Sequence, residues 1–469
     1  MSDWSIAIRN LRRNRRRSLS TLLALAIGLI AILLFSGFKA NLGSTMLTSF
    51  VRAGGHLQIQ HRDYFLYGSG NPTAYGISGY DATLAAIRAD APLRPMLHLI
   101  TPMLRFGGLA GNFDAGISRT VIGTGYVAAE MAEMKRWNEY AMPTTDKQFS
   151  LKGAVADAAV VGIGVARVLQ LCAPLHVPGC KQPEISAERL PASTGIALPA
   201  DIAALASAEH GPDSGLSGDK KARIELLSNS SRGAPNVIAL AVVAAEDQGF
   251  KELDEVSVIL HLVTAQKLVF GRAEPRVTAL MVQLNRSDDR FAAAQRLRQI
   301  LAASPSGAAL TVRDFEELNP FYSQSENLFN VIFGFIFVLI GGIVLFTVGN
   351  TMNAAVVERT VEIGTLRAIG LRQSGVRKIF VIEGFLLGCF GAIAGIVLAV
   401  LIGELVNRSG LTWMPPGSSE PLPLQVRVLA DGITLAGASL GLVFVATLSA
   451  WLPAWRAASL SVVEALRHA

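Results

Sequence analysis

Four stretches without a charged side chain constrain what this chain can fold into: Ser18–Phe38, Asn327–Val357, Phe385–Gly403 and Gly432–Trp455. Each is near or above the roughly 20 residues an α-helix needs to cross about 30 Å of hydrocarbon. Backbone amides find no water there, so a run of that length spans as a helix with every hydrogen bond closed internally. Of the 469 residues, 17% are charged and 51% apolar, whereas soluble domains run nearer one-quarter charged. The expected fold is a membrane protein with four transmembrane α-helices at 18–38, 327–352, 379–404 and 431–453, and a large α+β periplasmic domain at 39–326 inserted between helices 1 and 2. A cleaved leader is the alternative for the first run. Its apolar length exceeds an h-region of about 7–15 residues and SGFKANLG offers no convincing small-residue cleavage site, so an uncleaved helix is expected.

Basic residues set the orientation. Arg9, Arg12, Arg13, Arg15, Arg16 and Arg17 precede the first span, and Arg359, Arg367, Arg372, Arg377 and Lys378 separate the second from the third. Arg456 and Arg467 follow the fourth, while the third and fourth are joined through only Arg408 and Arg427, balanced by Glu404 and Glu420. Both termini are expected in the cytoplasm of a bacterial cell, the protein lying in the inner membrane. The segments 1–17, 353–378 and 454–469 are then cytoplasmic, and 405–430 is a short periplasmic loop. The net charge of +6 is accounted for by this bias and by arginines resting on anionic headgroups; no nucleic-acid partner is implied.

Within the outer domain, GHLQIQH (55–61) alternates apolar and polar residues and reads as a strand, as do VSVILHLV (256–263) and VTALMVQL (277–284). A helix is expected next, capped by Ser287 and the two following aspartates, with Phe291, Ala294, Leu297 and Leu301 on one face. AALTVRDFEEL then supplies another short strand. The stretch from about 165 to 236, rich in Ser, Gly, Pro and Ala, reads as a looser subdomain or insertion.

Cys172 and Cys180 bracket a tight loop outside the membrane, where a disulfide is expected. His176 lies midway, so a Cys-x3-His-x3-Cys metal site is the alternative; the expectation is a disulfide and no metal. Cys389 falls inside the third span as a small packing residue. No G-x-x-x-x-G-K-[ST], H-E-x-x-H or G-x-S-x-G occurs, so no catalytic residue is assigned. The Gly-x-Gly of VVGIGVARV (160–168) is too weak a signal for nucleotide binding.

Glycines recur four apart within the spans, as Gly384 and Gly388, Gly391 and Gly395, and Gly437 and Gly441. Small residues at that interval let helices approach closely, within one bundle or across a subunit interface. Glu383, about a turn past Arg377 and Lys378, reads as a structural ion pair with basic or interfacial partners rather than a proton relay.

Between the second and third spans, Glu358–Gly370 reads as a short amphipathic helix that Gly370 ends. Val361, Thr365 and Ala368 form one stripe; Ile363, Leu366 and Ile369 form another. Helices that lie on anionic headgroups favour Lys and Arg, and the two glutamates here suit a protein partner better.

The run ERTVEIGTLRAIG (358–370), the following IEGFLLG and the terminal PAWRAASLSVVEALRHA resemble the permease family that includes FtsX, MacB and the LolC/LolE lipoprotein-release subunits. GHLQIQ after the first span is similar to the lipoprotein-release branch. The resemblance covers about residues 1–62 and 310–469; the domain between is similar in arrangement only. It implies a type VII ABC transporter permease whose coupling helix contains Glu358, Arg359, Glu362, Ile363, Gly364, Leu366, Arg367, Ala368 and Gly370. The implied partners are two copies of a cytoplasmic ATPase, which bind ATP and Mg, and a second permease chain, identical or paralogous. A periplasmic adaptor or acceptor is a further possibility. Unlike MacB, the chain has no fused ATPase domain, so that subunit is expected to be another polypeptide. The implied work is extraction or export of lipoprotein or lipid, with substrate entering beside Phe329, Phe333, Phe335 and Phe337. Mechanotransmission to an adaptor or hydrolase, including drug or peptide efflux, is the alternative.

Overall fold

A computed structural model describes residues 3–68, 70–113, 115–142, 149–177, 180, 222–230, 233–414 and 421–459. The chain forms two compact units, one from 1–47, 319–413 and 421–469, the other from 48–318 with 414–420. It opens on α1 (Asp3–Arg13) and α2 (Arg15–Gly54).

The second unit is built on a nine-stranded sheet. Its elements in chain order are β1 (Leu57–His61), α3 (Tyr80–Ala89), β2 (Leu97–Asn112), β3 (Ile117–Tyr126), α4 (Ala128–Arg136), β4 (Ala158–Gly162) and α5 (Ile163–Val168). There follow β5 (Arg223–Asn229), β6 (Pro235–Glu246), β7 (Ser257–His261), α6 (Leu262–Phe270), β8 (Ala279–Leu284), α7 (Arg290–Ala303) and β9 (Leu310–Asp314).

The length of β2 decides the topology. At 16 residues it is long enough for two strands to share one edge, β8 along Leu97–Met103 and β5 along Leu109–Gly111, while β3 pairs along the other. The pairing therefore runs β2–β3–β7–β4–β6–β5 and returns to β2, closing a ring, and the antiparallel limb β8–β1–β9 extends from it. Within the ring only β3–β7 and β4–β6 are parallel. Closure removes the free edges that six strands would otherwise expose. Leu57, Ile59, Leu104, Phe106, Val282 and Leu297 lie in one apolar core, and Met103, Met134, Leu151, Val160 and Met281 in a second.

The strand expected at 55–61 is β1, that at 277–284 is β8, and AALTVRDFEEL contains β9. The run 256–263 is strand only to His261, where α6 takes over. The helix after β8 is present as α7, but its N-terminus differs from expectation. Phe291 is exposed, its ring beside the Arg290 guanidinium at 4.9 Å, and the buried row begins instead at Ala293 and Ala294 and continues through Leu297 and Leu301. Ser287 does not cap it: its hydroxyl donates to Glu139 at 2.6 Å, a stronger charge-assisted bond. Of the stretch expected to be loose, residues 181–221 lie outside the described residues, while α5, β5 and the start of β6 are regular elements of the sheet unit.

The first unit is helical. Besides α1 and α2 it contains α8 (Pro320–Glu358), α9 (Thr360–Ala368), α10 (Gln373–Arg408) and α11 (Gly432–Ser459). Helices α2, α8, α10 and α11 are long and apolar enough to cross a membrane. Leu25, Leu29 and Leu33 of α2 pack in one core with Val344, Val348 and Met352 of α8, Leu387 and Ala399 of α10, and Leu442, Ala446 and Ala450 of α11. The outward rows of α8, including Val331, Phe335, Val338 and Phe346, are exposed and apolar, the surface a spanning helix presents to lipid.

Candidate coupling site

Helix α9 is short, and its ends are fixed by backbone chemistry. Arg359, with φ −107° and ψ 14°, breaks the helix that would otherwise continue from α8. At the other end Gly370 has φ +105°, a left-handed conformation that only glycine adopts cheaply. The Leu371 amide then bonds the Leu366 carbonyl and the Gly370 amide bonds that of Arg367. These are the paired bonds of a Schellman cap. The chain thus leaves α9 sharply and enters α10 at Gln373.

One face of α9 is anchored. Ile363 is buried in the helical core, and Gly364 beside it is buried as well. The rest of the helix looks outward: Val361, Leu366 and Ile369 are exposed apolar side chains, with Glu362, Thr365 and Ala368 exposed among them. The two apolar stripes expected from sequence therefore divide, because Ile363 turns inward while Leu366 and Ile369 do not.

The root of α9 is held by a buried ion pair. The Arg359 guanidinium lies 3.2 Å from the Glu383 carboxylate of α10, with side chains 8% and 4% exposed. The carboxylate also accepts from the Asn10 side-chain amide of α1 at 2.7 Å, and Arg359 donates to the Asn10 carbonyl at 3.2 Å. Glu383 is thus ion-paired as expected for a structural carboxylate, but with Arg359 rather than with Arg377 or Lys378, which precede it on its own helix. Two further pairs follow, Arg13 with Glu362 at 2.6 Å and Arg17 with Glu358. Asn10, Arg13 and Arg17 were not legible as site residues, because an arginine-rich start already has a sufficient explanation in membrane orientation. The available signal was the spacing: Arg13 and Arg17 are four apart, as are Glu358 and Glu362.

The glycines of α10 face two neighbours. A Cβ on Gly384 would stand 2.6 Å from the Ala450 methyl, and one on Gly388 3.0 Å from the Val443 Cα, both on α11. Gly391 and Gly395 instead meet Leu25 and Leu29 of α2. On α11, Gly441 lies against Phe337, whereas a Cβ at Gly437 would meet nothing within 4 Å among the described residues. Of the phenylalanines on α8, Phe333 stacks on Phe35 at 6.2 Å and lies 6.4 Å from Phe337, while Phe335 is exposed and Phe329 half-buried. Elsewhere, Cys172 and Cys180 are disulfide-bonded with Cα atoms 5.7 Å apart. Among the described residues no group of three His, Cys, Asp or Glu side chains is placed to hold a metal ion.

The Gly-x-Gly of residues 160–168 is packing. It forms the turn from β4 to α5, and a Cβ on Gly162 would lie 2.2 Å from the Asp254 carbonyl oxygen. The glycine is required by that backbone approach.

Residues 331–462, which include α9, match the family described as FtsX-like permease C-terminal. The lipoprotein-releasing system transmembrane protein LolC of Neisseria meningitidis is 32% identical over 244 residues, 50% of this chain and 56% of that protein. An ABC transporter permease of Methanocaldococcus jannaschii, MJ1507, is 27% identical over 48% of this chain and 54% of its own length. The macrolide export ATP-binding/permease protein MacB of Psychrobacter cryohalolentis is 30% identical over 41% of this chain and 24% of its own. The chain thus spans about half the length of the first two relatives. With four helices long and apolar enough to cross a membrane among the described residues, the chain carries an FtsX-like permease C-terminal domain over residues 331–462 and has homologues named LolC, MacB and ABC transporter permease.

Proposed function

We propose that this chain is the permease subunit of an ABC transporter in which α9 is the coupling helix, receiving force from a separate cytoplasmic ATPase. The observation that supports this most is the division of α9 into an anchored side, Ile363 and Gly364, and an outward side carrying Val361, Leu366 and Ile369 among charged residues. An apolar patch with mixed charge at its border suits a protein partner. On this reading both termini and α9 lie in the cytoplasm, the sheet unit stands on the periplasmic side of the inner membrane, and a second permease chain completes the bundle. Two copies of the ATPase bind ATP and Mg. Their closure around ATP biases two permease states unequally, which any ligand-driven cycle requires. The cargo is a lipoprotein or lipid, a choice supported by the LolC relative and by the GHLQIQ segment. The relative named for macrolide export favours the second reading, in which the sheet unit works on an adaptor or hydrolase.

The test is co-purification. The chain extracted in mild detergent should carry a subunit with a G-x-x-x-x-G-K-[ST] motif, identified by mass spectrometry. Leu366→Asp with Ile369→Asp should release that subunit while membrane insertion is retained. A wild-type chain without such a subunit, or a double variant that keeps it, overturns the proposal.

A further inference from the structure

We propose that the N-terminal helix α1 is a clamp on the coupling helix: Arg13 ties α1 to α9 at Glu362, Arg17 ties the root of α2 to Glu358 at the end of α8, and Asn10 ties α1 to the Arg359 break between them, with Glu383 of α10 as the shared anchor, so that a shift of α9 carries the first span with it. The proposal rests on the reading above only in taking α9 as the element that receives force.

The links are matched in spacing. Arg13, the last residue of α1, pairs with Glu362 of α9, and Arg17 of α2 pairs with Glu358, the last residue of α8, so the two segments meet in antiparallel order. The helix hydrogen bonds continue through Asn14, whose amide bonds the Asn10 carbonyl while its own carbonyl accepts from Ser18. Asn10, Arg13 and Arg17 therefore belong to one nearly continuous rod that runs into α2. Topological arginines need no partner. Arg9, Arg12, Arg13, Arg15 and Arg16 of the same segment are all exposed, but Arg13, with the half-buried Arg17, is placed against a carboxylate, and the two carboxylates bracket the break at Arg359.

The direction of α1 supports the same conclusion. Asn10 meets Glu383, and Trp4 packs edge-on against Phe385 with ring centroids 6.1 Å apart. Trp4 and Asn10 are separated by about 9 Å along α1, but Glu383 and Phe385 by only about 3 Å along α10. Helix α1 therefore crosses α10, and cannot be running alongside it. A rod laid across α10, continuous with α2, and ion-paired to the helix that joins α8 to α10 is placed to transmit displacement.

The node at Glu383 makes the arrangement stiff. Arg359 and Glu383 are withdrawn from water, and a charge separated from its partner in such surroundings is costly to leave. Motion of α1 away from α9 that broke Arg13–Glu362 would also pull Asn10 from both members of the buried pair, to each of which it is bonded. Asn10 is thus a positioning residue for α9, although 349 residues separate it from Arg359.

Amide hydrogen exchange on the full chain in phosphatidylcholine nanodiscs tests the clamp without the ATPase. R13E/R17E, which retains Arg9, Arg12, Arg15 and Arg16 for orientation, should raise exchange in peptides covering 360–368 at least tenfold and leave those covering 279–284 unchanged. R13E/R17E/E358R/E362R should restore protection in 360–368. Asn10→Leu, which changes no charge, should raise exchange in the same peptides. Unchanged exchange in 360–368 for both R13E/R17E and Asn10→Leu overturns the proposal, as does a charge-swapped chain that remains unprotected there. Loss of the ATPase in the co-purification experiment would leave this result untouched, so the two readings fail separately.

Discussion

Leu29 of α2 fills the space that Gly395 of α10 leaves open: a Cβ on Gly395 would stand 2.9 Å from the Leu29 Cβ and 3.3 Å from the Ala26 carbonyl oxygen. Lipid is as apolar as leucine, so close dispersion contact rather than the hydrophobic effect holds such helices together. Gly395→Leu should therefore destabilise the bundle by about 1–3 kcal/mol through overpacking. Leu29→Ala added to it should recover part of that loss. Gly437→Ala, where a Cβ meets open space, should change stability by less than about 0.5 kcal/mol. Thermal unfolding of the chain in detergent micelles measures all of these.

The buried pair at the root of α9 gives a second outcome. Glu383→Leu leaves the Arg359 guanidinium buried without its carboxylate and should cost about 3–5 kcal/mol. Replacing both, with Arg359→Met in addition, removes the stranded charge and should be milder than the single change. Unfolding titrated with sodium dodecyl sulfate distinguishes the two; equal losses would mean that the pair carries no mutual dependence.

The parts of this fold that sequence made legible are those where one periodicity acts alone. The spans declare themselves because lipid forbids charge along roughly 20 residues. β1, α7 and β9 show a period because each buries one face, whereas β8, buried along its whole length, reads from its nearly unbroken apolar run. The ring strands β2, β3, β5 and β6 were missed. In β2 and β3, Gly107, Gly108, Gly111, Gly123 and Gly125 interrupt the alternation, and Gly108, Gly123 and Gly125 answer to close approach, not to period: a Cβ on Gly123 would lie 2.2 Å from the Phe106 ring. At the candidate site the exposed stretch of α9 was legible from its mixed charge. Its attachment to Asn10, Arg13 and Arg17 was not, since a pair more than 340 residues apart leaves no local pattern.

The turn from β4 to α5 should tolerate no side chain. Gly162→Ala places a methyl 2.2 Å from the Asp254 carbonyl oxygen and 2.8 Å from its Cα, where only backbone can yield. A loss of about 1–3 kcal/mol is expected, read as a lower urea midpoint for the β-sheet signal in circular dichroism. Gly153→Ala makes the comparison: it meets open space but has φ +81°, so its cost is that of the left-handed conformation alone, about 1–2 kcal/mol.

His56 should make the sheet unit sensitive to acid. Burial, followed by the nearby charges of Arg290 and His98, pushes its pKa down to about 3. Its Nδ1 accepts from the Leu284 amide at 3.0 Å, which leaves the proton on Nε2, 3.2 Å from the Ser287 hydroxyl. Above pH of about 6.5, the ordinary value for histidine, the ring is neutral whether folded or unfolded and contributes no pH dependence. Below it the unfolded chain takes up a proton that the folded chain refuses. Stability therefore falls with pH by up to about 1.4 kcal/mol per unit, until the folded ring itself titrates near 3. Urea unfolding followed by tryptophan fluorescence, with Trp137 packed edge-on against the imidazole at 4.9 Å, should show this decline between pH 6.5 and 4.5. Carboxylates titrate across the lower part of that window, so the readout is the difference between chains. His56→Gln should flatten the slope by close to one proton, and parallel slopes would show that His56 is protonated in the folded protein.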